Sequence, residues 1–103
     1  MASTKEYLDY VLDLLSEAEG ITYRPMMGEY VLYYNGRVFG GVYDDRFLVK
    51  PVAAAESLLK DADREIPYDG GKEMLLVDTE DRGFLRELLD AMYGELPAPK
   101  KKK

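Results

Sequence analysis

The 103-residue sequence contains no cysteine and no histidine. Without cysteine there is no disulfide framework, no thiolate metal site and no cysteine nucleophile. Without histidine the chain lacks the commonest general base at neutral pH, the usual catalytic dyads and triads, and the commonest zinc ligand. We therefore predict a protein that is not an enzyme and has no catalytic residues.

Long apolar runs and phosphate-binding loops are also missing. No uninterrupted apolar stretch approaches the roughly 18 residues that span a bilayer, and the N-terminus lacks the build of a signal peptide. Gly40-Gly41 lies inside a predicted strand, and Gly70-Gly71 does not connect a strand to a helix, so neither pair is typical of a phosphate loop. We expect a cytoplasmic protein with no membrane partner and no cofactor.

Two clusters of carboxylates raise the question of a metal site. They are Asp61, Asp63 and Glu65, and Asp78, Glu80 and Asp81. Neither cluster has the spacing of a calcium loop, with its central glycine and final glutamate. A solvated turn accounts for the first cluster, and capping of the following helix accounts for the second. We predict no metal site.

The net charge of −6 is unevenly distributed. Residues 100–103 contribute four lysines, which leaves 10 basic against 20 acidic groups, or −10, in residues 1–99. Because phosphate contacts dominate nucleic-acid affinity, direct nucleic-acid binding by so acidic a body is disfavoured. The lysine tail leaves weak binding to nucleic acid or acidic protein open, although a solubilising tail is the commoner explanation. We predict one domain over residues 1–96 and a disordered tail over 97–103.

Hydrophobic periodicity predicts three helices. They cover residues 4–19, a segment that opens at Pro51, and a segment that is capped by Thr79 or Asp81. Ser3 and Glu6 have the spacing of a capping box at the first helix. Gly20 is placed to end that helix in the left-handed conformation.

Aromatic and β-branched residues predict a three-stranded antiparallel meander after the first helix. Its strands are residues 30–34, 37–43 and 46–50, and residues 21–24 are a short candidate strand that Pro25 ends. Asn35-Gly36 favours a type I′ turn, and Gly40-Gly41 indicates a bulge or a close backbone approach. With two further strands, near Ile66 and at 73–77, the predicted class is α+β, with an antiparallel sheet packed against helices.

Tyrosine is abundant, with nine residues. Alternation in the first meander strand sends Tyr30, Leu32 and Tyr34 to one face of the sheet and Val31 and Tyr33 to the other. We expect one face to meet the helices and the other to be available to a partner, for which a homodimer is one candidate. The alternative is that tyrosines simply suit strands and extend their hydroxyls to water.

Residues 23–50 resemble the N-terminal domain of the TfoX/Sxy family of competence regulators. The resemblance is carried, in order and spacing, by Arg24, Met26-Met27-Gly28, the turn Asn35-Gly36, Asp44-Asp45 and Lys50. It implies an α-β3-α-β2-α fold similar to that of secretion-chaperone-like domains, and a role as co-regulator beside other transcription factors. Full-length members carry a second, C-terminal helical domain for which this chain has no room, so we expect a standalone N-terminal domain.

Together these observations predict a protein-interaction module, with transcriptional or competence co-regulation as its role and transcription machinery among the candidate partners. The candidate interaction patch consists of Arg24, Met26, Met27, Gly28, Tyr30, Tyr34 and Lys50. Two alternatives stay open: a sensor with a tyrosine-lined pocket for a small anionic ligand beside Arg24, and a weak nucleic-acid binder that uses the lysine tail. A structural explanation of the patch would bury the methionines and pair Arg24 with a carboxylate.

Overall fold

The computed structural model describes residues 3–67 and 70–96. The elements are α1 (Lys5–Leu14), β1 (Ile21–Met26), β2 (Glu29–Tyr34), β3 (Arg37–Val42), β4 (Phe47–Val49), α2 (Ala53–Leu58), β5 (Arg64–Glu65), β6 (Met74–Leu76) and α3 (Arg82–Tyr93). The class is therefore α+β, as predicted. The predicted tail, residues 97–103, lies outside the described residues. Within them, no helix combines the length and apolarity that crossing a membrane would need.

The six strands form one sheet in the order β1-β2-β3-β4-β6-β5, and every neighbouring pair is antiparallel. The three helices contribute to a single apolar core on one face of this sheet. Its fully buried members include Leu8, Val11, Leu32, Phe39, Val42, Ala55, Leu88 and Met92. We call this face the inner face and the opposite one the outer face.

The predicted strand count before the second helix was one too low. The segment Ile21–Met26 pairs with β2 along its whole length, so the meander has four strands and the order is α-β4-α-β2-α. Pro25 does not end β1, because β1 is the edge of the sheet. An edge position whose N–H would point to solvent tolerates proline without losing a ladder hydrogen bond.

The first helix begins one residue later than the capping-box prediction requires. Its N-cap is Thr4, whose hydroxyl accepts a hydrogen bond from the Tyr7 N–H at 3.1 Å. The regular helix stops at Leu14 rather than at residue 19, and tighter turns continue to Ala18. Gly20 does adopt the left-handed conformation, with φ +86°, but it introduces β1 instead of ending the helix.

Ser3 is not a cap but part of a polar junction that joins α1 to two turns of the sheet. The Glu29 carboxylate accepts from the Ser3 hydroxyl at 2.6 Å, from the Ser3 N–H at 3.1 Å and from the Asp44 N–H at 3.0 Å. The Ser3 hydroxyl in turn accepts from the Asp45 N–H at 3.0 Å. Because Ser3 is buried, these bonds replace water that it cannot reach. We call this group of residues the Glu29 junction.

The predicted irregularity at Gly40-Gly41 is confirmed in both of its forms. The β2–β3 register shifts between Leu32 and Tyr33, which leaves Phe39 as an extra residue that projects into the core. A Cβ at Gly40 would lie 2.1 Å from the Leu48 carbonyl oxygen, and one at Gly41 would lie 2.5 Å from the Tyr30 carbonyl oxygen. No side chain fits at such distances.

The Glu29 junction predicts a specific pattern of stability losses. We expect Glu29→Ala to lower the free energy of unfolding by about 2–3 kcal/mol, because it leaves Ser3 and Asp44 donors without their charged acceptor. Urea denaturation measures this loss. Glu6→Ala is the matched control and should change stability by less than about 0.5 kcal/mol. Equal losses in the two variants would support the predicted capping box of Ser3 and Glu6 and would contradict the stabilising role of the Glu29 junction.

Candidate functional site

The first four predicted patch residues lie together on the β1–β2 hairpin, Ile21–Tyr34. Met27-Gly28 forms its two-residue turn, and both residues have positive φ, +53° and +88°. This is the geometry of a type I′ turn. Gly28 therefore supplies a backbone conformation that residues with a Cβ rarely adopt. Its carbonyl also accepts from the Ser3 N–H at 3.0 Å, which fastens the turn to the Glu29 junction.

The two methionines do not fill the core. Met27 is 96% exposed and Met26 is 39% exposed, so both side chains meet water. A methionine in the left-handed region is uncommon, since side chains other than glycine, asparagine and aspartate are strained there. The structural explanation, in which both methionines are buried in the core, is therefore wrong.

Exposed apolar surface is concentrated on this hairpin. Six large apolar or aromatic side chains are exposed among the described residues: Tyr10, Tyr23, Met26, Met27, Leu58 and Ile66. Three of the six lie between Tyr23 and Met27, whereas the other three are scattered over separate elements. Tyr23 lies on the inner face and Met26 on the outer face, so the exposed side chains flank the edge of β1 on both sides of the sheet, with Met27 at the turn.

Arg24 is exposed, and it makes no ion pair with any residue that the structure describes. The register places it opposite Val31 on the outer face, with Thr22 and Met26 on the same side of β1. Pairing with a carboxylate, the structural explanation for this residue, is therefore absent within the described part of the chain. The arginine is available to a partner.

Tyr30 lies at the same hairpin but on the inner face. Its ring packs against the core and meets Tyr23 edge-on, with ring centroids 5.8 Å apart. Arg24 and Tyr30 therefore point to opposite sides of the sheet and do not form one surface. Tyr23, which sequence reasoning left out of the patch, takes the exposed place at the inner edge of the hairpin. Its position two residues before Pro25 in an aromatic, β-branched segment was the available signal.

Tyr34 has a structural role. It is buried, its hydroxyl donates to Asp90 at 2.6 Å, and its ring meets Tyr93 edge-on at 5.5 Å. The hydrogen bond to Asp90 raises the pKa of Tyr34. Arg37 lies over the Tyr93 ring at 4.3 Å and donates to the Tyr93 carbonyl. These contacts fasten β2 and β3 to the end of α3, roughly 20 Å along the strand from Gly28.

Lys50 also lies away from the hairpin turn. Its N–H donates to the Phe39 carbonyl at 2.8 Å, which places it beyond β4 at the opposite end of the meander from Met27. It is half-buried and lines a cavity with Tyr43 and Lys72. The seven predicted residues thus divide into a hairpin group, the inner-face Tyr30, the structural Tyr34, and Lys50 in a different site.

The edge of β1 offers few backbone groups to a partner. The two residues that flank a two-residue type I′ turn form a hydrogen-bonded pair, in which each backbone N–H donates to the carbonyl of the other. The backbone of Met26 is therefore bonded to β2, and the backbones of Arg24 and Thr22 are bonded to β2 in the same way at alternate positions. The hydrogen bond from the Asn35 N–H to the Gly20 carbonyl, at 2.9 Å, continues this alternation. The backbone hydrogen-bonding groups of Ile21, Tyr23 and Pro25 therefore point away from β2, toward the free edge of the sheet. Pro25 has no N–H to donate there.

Three of the six clustered carboxylates make contacts with other described residues. Asp81 caps α3 by accepting from the Phe84 N–H at 3.0 Å, as predicted, and Glu80 accepts from the Tyr10 hydroxyl. Glu65 does not lie in a solvated turn but in β5, where it pairs with Arg46 at 2.6 Å. Among the described residues, no three acidic side chains lie close enough together to hold a metal ion.

Three cavities can be described, and Arg24 lines none of them. They lie beside the C-terminal end of α2, over the outer face near Lys50, and between α1 and the β4–β6 strands. The predicted tyrosine-lined pocket beside Arg24 therefore receives no support from these cavities.

The antiparallel sheet, with helices on one face and an exposed hairpin at its edge, defines a small α+β domain. Residues 13–87 match the TfoX N-terminal domain, and the chain belongs to that family. The family is regulatory and non-enzymatic. The match includes the whole β1–β2 hairpin and Lys50, so the resemblance found in the sequence is confirmed.

The chain is also similar to the uncharacterised 12.7 kDa protein in the trpE 5′ region of Spirochaeta aurantia. The two are 31% identical over 105 residues, which cover 100% of this chain and 91% of the relative. No solved structure matches the chain.

The hairpin turn predicts a substitution that should increase stability. Met27→Asn creates the same Asn-Gly pair that forms the β2–β3 turn of this sheet. We expect the free energy of unfolding to rise by about 1 kcal/mol, because asparagine visits the left-handed region readily and other side chains pay roughly that much. Thermal and urea denaturation measure the change. The reciprocal control, Asn35→Met, should lower stability, and a loss of stability in Met27→Asn would instead show that Met27 has a stabilising contact.

Proposed function

We propose that this domain is a regulatory protein-interaction module whose contact surface is the β1–β2 hairpin. The observation that carries the proposal is the concentration of exposed apolar side chains between Tyr23 and Met27. Membership of a regulatory family supports it. A methionine kept where asparagine or glycine would be less strained is the pattern expected when binding, rather than stability, selects a residue.

The hairpin provides three kinds of contact to a protein partner. Met26 and Met27 offer flexible, polarisable side chains that adapt to an irregular apolar surface. Arg24, unpaired within the described residues, offers a planar cation beside them on the outer face. The outward backbone groups of Ile21 and Tyr23 allow a short partner strand to add to the edge of the sheet. Methionine and arginine are both enriched in interfaces, which fits this combination.

The role that follows is co-regulation of transcription, including competence genes, through a protein partner from the transcription machinery. The acidity of residues 1–99 supports a protein rather than a nucleic acid as that partner. A second copy of the chain is the other protein candidate. Self-association would bring together two bodies that each carry −10 over residues 1–99, and like charges repel. A partner of different charge is therefore the better fit.

Site-specific crosslinking in the native cell tests the proposal. A photoreactive residue at the exposed position Thr22 on β1 should crosslink to one protein partner, which mass spectrometry identifies. Adding Met27→Asn should reduce the yield about tenfold or more, which is the loss expected when a central interface residue is removed. Because Met27→Asn is expected to be at least as stable as the parent, such a loss cannot be attributed to unfolding.

Two controls define the result that would overturn this function. The same photoreactive residue at Leu58, which is 41% exposed on α2, should not capture the partner. Ile66→Asn, which removes an exposed apolar side chain away from the hairpin, should leave the yield at Thr22 unchanged. Equal capture at both positions, or capture insensitive to Met27→Asn, would contradict the hairpin as the contact surface. Crosslinks to the chain itself would identify a homodimer instead, which sedimentation at increasing concentration would verify.

A further inference from the structure

A second site lies on the outer face of the sheet, away from the hairpin. It is a cavity of about 420 Å³ between β3, the segment after β4, and the residues that lead into β6. Its lining includes Val38, Tyr43, Lys50, Pro67, Lys72 and Met74. This volume falls within the roughly 300–1,000 Å³ range of small-molecule sites. We call it the Lys50–Lys72 cavity.

Hydrogen bonds fix two parts of the wall of this cavity. The neighbouring strand β4 carries Leu48, which is fully buried outside the core that the helices cover. Arg46 fixes the opposite wall by donating to the Ile66 carbonyl at 3.3 Å and the Pro67 carbonyl at 3.5 Å. Lys50 is anchored by its main chain through its N–H bond to Phe39. These hydrogen bonds fix the Lys50 main chain and the Ile66-Pro67 segment of the wall.

Two basic side chains line the cavity. They are Lys50 and Lys72, and neither forms an ion pair with a described residue. Five of the ten basic residues that the structure describes are paired with a carboxylate, and the other five are not: Arg24, Arg37, Lys50, Lys60 and Lys72. Glu73 is the one carboxylate in the described lining, and it is exposed. Two lysines that line one concavity without an ion pair to a described residue favour an anion between them.

We propose that the Lys50–Lys72 cavity binds a small organic anion. Its carboxylate or phosphate head lies between the two lysines, and its apolar body lies against Val38, Tyr43 and Met74. Lysine binds such heads as a compact point charge, which suits an open site where no planar guanidinium fork is present. Ligand sites commonly combine an apolar lining with a few convergent polar groups of this kind. The anion site is thus separate from Arg24, and it does not depend on the function of the hairpin.

The test is an amide-resonance titration of the full chain with four probes. Phenyl phosphate and benzoate carry an apolar body with a phosphate or a carboxylate head, inorganic phosphate carries only charge, and benzyl alcohol carries only the ring. We expect phenyl phosphate or benzoate to shift the resonances of Val38, Lys50, Gly71 and Lys72, and to bind at least about tenfold more tightly than inorganic phosphate and benzyl alcohol. Which of the two heads binds more tightly identifies the ligand class.

Matched lysine variants give the deciding comparison. Lys50→Gln and Lys72→Gln should each weaken binding about tenfold, because each removes one charge-assisted contact. Lys60→Gln removes an exposed lysine of a different cavity and should leave the affinity unchanged. Since Lys72 is exposed, its variant should fold even if Lys50→Gln does not. Equal weakening in all three variants, shifts spread over the whole surface, or equal affinity for inorganic phosphate and phenyl phosphate would overturn the proposal.

Discussion

A single carboxylate, that of Glu29, holds the exposed hairpin in its place. It accepts three hydrogen bonds, two from Ser3 and one from Asp44, and so ties the start of α1 to two neighbouring turns of the sheet. The Met27-Gly28 turn is fixed as a consequence, because the Gly28 carbonyl accepts from the same Ser3 N–H. A turn that is fixed in this way has less conformational entropy to lose than a free loop has.

Three two-residue turns of the same hand shape the meander. Met27-Gly28, Asn35-Gly36 and Asp44-Asp45 all have positive φ at both positions, which matches the right-handed twist of the flanking strands. Only the first contains a residue poorly suited to that conformation. The meander therefore has two turns composed for stability and one, at the exposed edge, that carries strain. This contrast within one sheet is what separates a functional explanation of Met27 from a structural one.

Local signals in the sequence were sufficient for the class, the turns and the presence of three helices, but not for the bounds of the first helix. The Asn35-Gly36 turn and the capping by Asp81 each depend on residues adjacent in the chain, and each was predictable. The strand through Pro25 and the partners of Ser3 were not, because both depend on which element becomes the edge of the sheet. The patch was only half predictable for the same reason: sequence order cannot show that Tyr34 is bonded to Asp90, 56 residues away.

Pro25 also determines how large an assembly this sheet can enter. At one edge of the sheet, β1 has outward backbone N–H groups at only two residues, Ile21 and Tyr23, before Pro25, which has none. At the other edge, β5 is only two residues long. Neither edge can template an indefinite series of strands, the process that leads to fibrils. The sheet can therefore carry exposed apolar side chains at one edge and still resist strand-by-strand aggregation through that edge.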